Sequence, residues 1–340
     1  MVMLKRRSFL QTVSALGVAS AALVKTRDVQ AAIDEANESV ANWPEMTYRP
    51  LGRTGFNGSR LVFGCGAALS RGRANRLLEP AFEAGINVFD VGYRNYYRDA
   101  EMNLAPFLKQ HRDQVFLISK AMVEVEAAWD ESLSLSQQRQ AAANWSRFLD
   151  DSLREMQQDH VDAYYLMAVN NVSLVESDEL YEAFTRARDA GKVSYFGIST
   201  HENAENVTRA AAASGRYDLM QIAITPAGWY DFVERDILKG TSSMQELKPV
   251  LDLAREAGIG LIGMKAGRHL AGRRFLGWGN PDAYDGYYGE SVQKSGLNAF
   301  QKSYAYVLAN GLDAVNADMQ VWQHLRENVV SATSAQTYFV

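Results

Sequence analysis

From about residue 60 to the C-terminal region, short uninterrupted apolar runs alternate with longer stretches whose apolar positions recur every three or four residues. Runs of the first kind predict strands beginning at Leu61 and over residues 87–89, 115–119, 163–167, 193–199, 219–223, 260–264 and 313–316. Stretches of the second kind predict helices over residues 75–84, 100–109, 136–156, 179–190, 204–214, 245–256, 297–308 and 320–331. Glycines at 85, 191 and 258 stand just before strands, where a helix that must stop and turn sharply favours them. Eight strand–helix units in roughly 270 residues have the size of an α/β fold of the (β/α)8 TIM-barrel type. A doubly wound open sheet would need a G-x-G-x-x-G turn after its first strand, and GAALSRGRAN after Cys65 lacks that spacing. Ahead of the first barrel strand, TYRPLGRTGFNGSRLVFGCG reads as a β-hairpin. The barrel domain is therefore expected over residues 46–340, after a polar linker at 32–45. The segment 266–296 after the seventh strand is too long for a mere connection and is expected to be either functional or mobile.

The N-terminus changes the picture of where the chain works. Lys5, Arg6 and Arg7 precede Ser8, Phe9 and Leu10 and then a modestly apolar run over residues 13–24, the pattern of a twin-arginine signal peptide. That run is too short and too rich in Ala, Ser and Gly for a stable membrane span, which needs about 20 strongly apolar residues. Cleavage after residue 31 is expected to deliver the chain, through the twin-arginine export machinery, to the bacterial periplasm. The net charge is −5, and removing residues 1–31 takes away five basic side chains and one acidic, leaving −9. An acidic chain without a basic stripe argues against nucleic acid as a partner. Cys65 is the one cysteine of the 340 residues, so no internal disulfide or multi-cysteine metal site can form, and its place in an apolar run suits core packing.

The chemistry gathers around NVFDVGYRNYYRDAE, residues 87–101. An apolar strand ends in Asp90, a turn carrying Tyr93, Tyr96 and Tyr97 follows, and the next strand ends in Lys120. Strand ends of this polarity are where barrels keep their reactive groups. An ammonium beside a phenol favours the phenolate and brings its pKa toward the range where it passes a proton.

LGRTG in the hairpin, FD followed by tyrosines and Glu101, ISK, VDAYYL, GKVSYFGIST and the late LRENV together resemble the aldo-keto reductase family. The resemblance implies an NAD(P)H-dependent oxidoreductase that reduces a small carbonyl substrate with an Asp, Tyr, Lys, His tetrad, and NADP(H), with NAD(H) as the variant, laid across the carboxyl face. By position Asp90 and Lys120 match the tetrad. The family spacing of five residues after the aspartate falls on Asn95, so a one-residue insertion makes Tyr96 the expected proton donor, ahead of Tyr97 and Tyr93. Met167 stands where the resemblance expects the histidine. His201 is the histidine nearest that rim, with a solvated helix-start residue as its alternative reading. For the cofactor, Ser199 and Gln221 match the carboxamide-binding pair, Thr200 stands where asparagine is usual, and Glu327 and Asn328 match the adenine contacts. Arg268, Arg273, Arg274 and Arg326 are the phosphate candidates, since Asp318 and His324 stand where basic residues are common, and Lys265, at the end of the seventh strand, is expected to face a ligand, with a structural ion pair as its alternative reading. Trp229, Tyr230 and Trp278 are expected to shape the substrate site. No metal is implied. The alternative is a catalytically degenerate barrel that binds a nucleotide or a partner.

Overall fold

The structure, a computed structural model, describes residues 39–272, 279–317 and 319–338. The signal-peptide reading, together with Arg273, Arg274, Trp278 and Asp318, lies outside the described residues. From Trp43 onward the chain forms one compact unit. It begins with an antiparallel hairpin, β1 (Tyr48–Pro50) and β2 (Asn57–Ser59), with Tyr48 opposite Ser59. Eight parallel strands follow: β3 (Leu61–Gly64), β4 (Val88–Asp90), β5 (Phe116–Ala121), β6 (Val161–Leu166), β7 (Val193–Thr200), β8 (Leu219–Thr225), β11 (Gly260–Met264) and β12 (Ala314–Ala317). They pair in the order β8-β11-β12-β3-β4-β5-β6-β7, and β7 pairs back onto β8, which closes the (β/α)8 barrel. Strands buried on both faces read as continuous apolar runs, which is why their positions were legible in the sequence. The predicted strands agree with the observed ones to within a residue or two at their ends.

The hairpin is the floor of the barrel. Leu51, fully buried, projects into the core formed by Val62, Val88, Phe116, Leu219 and Ile262. The floor fits so closely that a Cβ on Gly52 would lie 2.1 Å from the backbone nitrogen of Gly260, and Gly52 has a φ of +51°. Three aspartates stitch adjacent strands together at this same end. Asp162 accepts the N–H of Leu117 at 2.7 Å, Asp218 that of Phe196 at 2.8 Å and Asp313 that of Leu261 at 2.8 Å. Each is held in turn by an arginine: Arg112 at 2.9 Å, Arg53 at 2.7 Å and Arg49 at 3.3 Å. Asp162, quoted above within VDAYYL, is thus a strand-start brace at the pole opposite the chemistry.

A small antiparallel excursion, β9 (Gly228–Asp231) and β10 (Asp236–Ile237), extends the end of β8 and was not anticipated. After β11 the long connection is only partly irregular, with a 3-10 turn at Asp285–Tyr287 and a short helix at Glu290–Gln293.

Candidate active site

The carboxyl ends of the strands deliver polar side chains into the barrel mouth. Asp90 ends β4, Lys120 lies on the adjacent β5, Gln221 on β8 and Asn316 on β12. Asp90 and Lys120 are each 4% exposed, and charges so deeply buried must be paired. Here the Lys120 ammonium donates to one Asp90 oxygen, while the other accepts from the Gln221 amide at 3.2 Å and from the Asn316 amide. Asn316 was not singled out beforehand. An amide in a four-residue apolar strand was its one sequence signal, and Gly64 leaves room for it, since a Cβ there would lie 2.5 Å from Asn316 Oδ1.

The tyrosine expectation needs correcting. Arg94–Tyr97 forms a single helical turn, in which the N–H of Tyr97 donates to the Tyr93 carbonyl at 3.0 Å. That turn carries the Tyr97 ring into a gap between Gly66 and Gly92, where added Cβ atoms would come within 2.6 and 2.8 Å of it. Lys120 Nζ lies 5.9 Å from the centroid of the same ring. Tyr96 instead meets Tyr97 edge-on at 4.7 Å with 45% of its surface exposed, and Tyr93 is buried against Phe148. Both Tyr96 and Tyr97 line the cavity at this mouth, and Tyr97 is the one whose ring lies beside Lys120. The expected lowering of the phenol by lysine is also absent: burial, then the Asp90 carboxylate, push the Tyr97 hydroxyl up. The Lys120 charge is already answered by Asp90, so the phenol keeps its proton.

These groups face a cavity of about 480 Å³, lined also by Met167, Ser199, His201, Phe232, Lys265, Arg268 and Tyr304. Met167 ends the β6 segment, 6% exposed, with its N–H donating to the Ala121 carbonyl at 3.0 Å. His201 is on the rim rather than in solvent. Its ring packs on Phe232 at 4.7 Å, and burial together with the charges of Lys265 and Lys120 pulls its pKa down to about 3, so the imidazole is neutral. Beside the ion pair, Glu101 is fully inside, accepting from the Ser119 hydroxyl at 2.7 Å. Burial pushes its carboxyl up to about 7 despite hydrogen bonds from Ser119 and Ser152.

Residues 52–279 match the family model described as "Aldo/keto reductase family". This chain belongs to that family. A curated relative, the uncharacterized oxidoreductase YrpG of Bacillus subtilis (strain 168), is 29% identical over 247 residues, covering 67% of this chain and 69% of its own. Among solved structures, the holo form of aldo-keto reductase AKR11C1 from Bacillus halodurans superposes with a TM-score of 0.61 at 21% identity. It covers 87% of this chain and 95% of that one, a likeness of fold. Family membership and the oxidoreductase relative make this chain an oxidoreductase.

The remaining site expectations in this family member divide. Ser199 and Gln221 face the cavity, but the Ser199 hydroxyl already accepts the N–H of Ala168 at 3.1 Å. Thr200 does not line it: fully buried, its hydroxyl donates to the Glu202 carbonyl at 3.0 Å. Lys265 and Arg268 do line it, with the Lys265 ammonium 5.2 Å above the Phe232 ring. Glu327 and Asn328, on the helix Trp322–Tyr338, do not, and the Glu327 carboxylate accepts from Gln323 at 2.8 Å. Trp229 and Tyr230 are buried on β9 and stand behind the lining, Tyr230 packing on Met264 and hydrogen-bonding Arg268, while Phe232 and Phe300 face the cavity. Phe232 follows the β9 strand that the sequence pattern did not reveal.

Proposed function

We propose that this aldo/keto reductase family member reduces a small aldehyde or ketone with NADPH, Tyr97 acting as proton donor. The observation that carries the proposal is the buried Lys120–Asp90 pair beside the Tyr97 ring, at the wall of a cavity that also reaches Ser199, Gln221, Lys265 and Arg268. The donor set suits the cofactor: buried amide and hydroxyl groups at one end, and cations suited to phosphate oxygens at the other. A nicotinamide dinucleotide bound there supplies the hydride. Tyr97 holds the proton that the carbonyl oxygen needs, and the Lys120–Asp90 pair stands beside its ring. Asp90, fixed by Gln221 and Asn316, holds the Lys120 ammonium in place.

Met167 is the departure. A thioether offers no donor to polarise a carbonyl, so that task falls to Tyr97 and to the neutral ring of His201 on the same cavity. Met167 is also what favours a second reading, a barrel that binds a dinucleotide without turning over. Titration of the purified protein with NADPH and NADH, followed by cofactor fluorescence, tests both. Saturable binding with tighter NADPH is expected, and no binding of either at millimolar concentration would refute both readings. The twin-arginine pattern at Arg6 and Arg7 supports export of the folded chain to the periplasm.

A further inference from the structure

A second cavity, of about 500 Å³, opens beside the first and shares Ala67, Tyr96, Tyr97 and Gln320 with it. Its other wall is cationic, carrying Arg71, Arg73 and Arg98 and, among the described residues, no carboxylate. Elsewhere on the molecule arginines answer acidic neighbours, as Arg53 does Asp218 and Arg216 does Asp178. Among the described residues no ion pair joins Arg71, Arg73 or Arg98 to an acidic side chain, and all three line this one concavity.

The backbone holds them there at some cost. Arg98, next in the chain to Tyr97, has φ 55° and ψ −121°, a conformation that favours glycine, and its N–H donates to the Arg94 carbonyl at 2.8 Å. A non-glycine residue kept in such a conformation marks a position that the surroundings over-determine, often at a ligand site. Between Arg71 and Arg73, Gly72 makes a left-handed turn at φ +68°, with its N–H donating to the Leu69 carbonyl at 2.9 Å. That turn lets the arginines on either side of it reach the same cavity.

We propose that this cavity receives an oxyanion carried by the substrate, a carboxylate or a phosphate a few carbons from the carbonyl that meets Tyr97. The proposal rests on the reductase reading and narrows its substrate class to anionic aldehydes or ketones. Guanidinium forks match the paired oxygens of both anions. The shared tyrosines put the anion site and the proton donor in adjoining spaces, so one short molecule can span them.

The test compares three aldehydes of equal chain length on the full protein with NADPH: one with a terminal carboxylate, one with a terminal phosphate and one neutral. A charged aldehyde is expected to exceed the neutral one in kcat/KM by about ten- to a hundredfold, the size of a charge-assisted contact, and the better anion names the source. In Arg73→Ala and Arg98→Ala that ratio should fall toward one, through KM for the charged compound. A second readout needs no turnover: calorimetric titration of the cofactor-free protein with butyrate and with inorganic phosphate should show binding that both variants lose. A neutral aldehyde reduced as well as the charged ones would overturn the anion cavity while leaving the reductase intact. Arginine variants that lose NADPH affinity in step with the charged aldehyde would likewise overturn it, giving the arginines to the cofactor. If no aldehyde is reduced yet the anions bind and the variants lose them, the reductase reading falls and the cavity assignment stands.

Discussion

Tyr97 rests in the gap left by Gly66 and Gly92, and the Lys120–Asp90 pair stands beside it. If it delivers the proton, Tyr97→Phe should lower turnover by roughly 10²–10⁴-fold, as loss of a general acid does, with NADPH affinity little changed. Tyr96→Phe, on the exposed side, should lose far less, and equal losses would return the role to Tyr96. Met167→His offers a donor to the carbonyl, a contribution worth on the order of 2.7–4 kcal/mol where it aligns, so turnover of a simple aldehyde should rise. A flat response would remove Met167 from the reaction. Glu101 makes a separate prediction. Its buried carboxyl holds a proton up to about pH 7, whereas an exposed glutamate releases it near 4.5. Folding therefore takes up a proton between those values, and stability is lost as the pH rises through that window, by on the order of 3 kcal/mol if the shift is fully expressed. Glu101→Gln should flatten the fall in melting temperature between pH 4.5 and 7, and an unchanged slope would assign the proton elsewhere.

The helix Leu135–Met156 shows which elements a sequence announces. Ser134 and Gln137 form a capping box at its start, and Ala141, Trp145, Phe148, Leu149 and Met156 make a buried stripe at helical spacing. Trp145 is fully buried and meets Tyr164, Phe184 and Phe196 edge-on, joining the helix to β6, β7 and the helix Asp178–Asp189. Trp145→Ala should cost about 3–5 kcal/mol in a denaturation experiment. Trp145→Phe should cost much less, because the indole N–H has no hydrogen-bond partner among the described residues. Equal losses would show that shape at this junction matters more than volume. The β9–β10 excursion was illegible for the opposite reason. Its strands have four and two residues, and it exists because the open end of β8 offers partners, Ile224 to Trp229 and Thr225 to Gly228. Nothing periodic in so short a segment distinguishes it from a loop.

At the scale of the molecule, a barrel closed by the pairing of β7 with β8 fits the export proposal, because the twin-arginine route accepts folded chains. Replacing Arg6 and Arg7 by lysine should keep the protein out of the periplasmic fraction, and undiminished export would point to another route. The eight strand–helix units could be read directly because burial on both faces writes each barrel strand as an apolar run. Asp90 and Lys120 could be read for the same reason, since the polar residue that ends such a run must emerge at the carboxyl pole. Which tyrosine turns inward could not be read: one residue of helical rotation separates Tyr96 from Tyr97, and two glycines that follow different strands decide between them. Nor could the partners of Asp90, since Gln221 and Asn316 lie 131 and 226 residues away along the chain. Local pattern records whether a side chain is buried and by which element. The company that it keeps is set by closure of the barrel, which brings together strand ends that share no sequence neighbourhood.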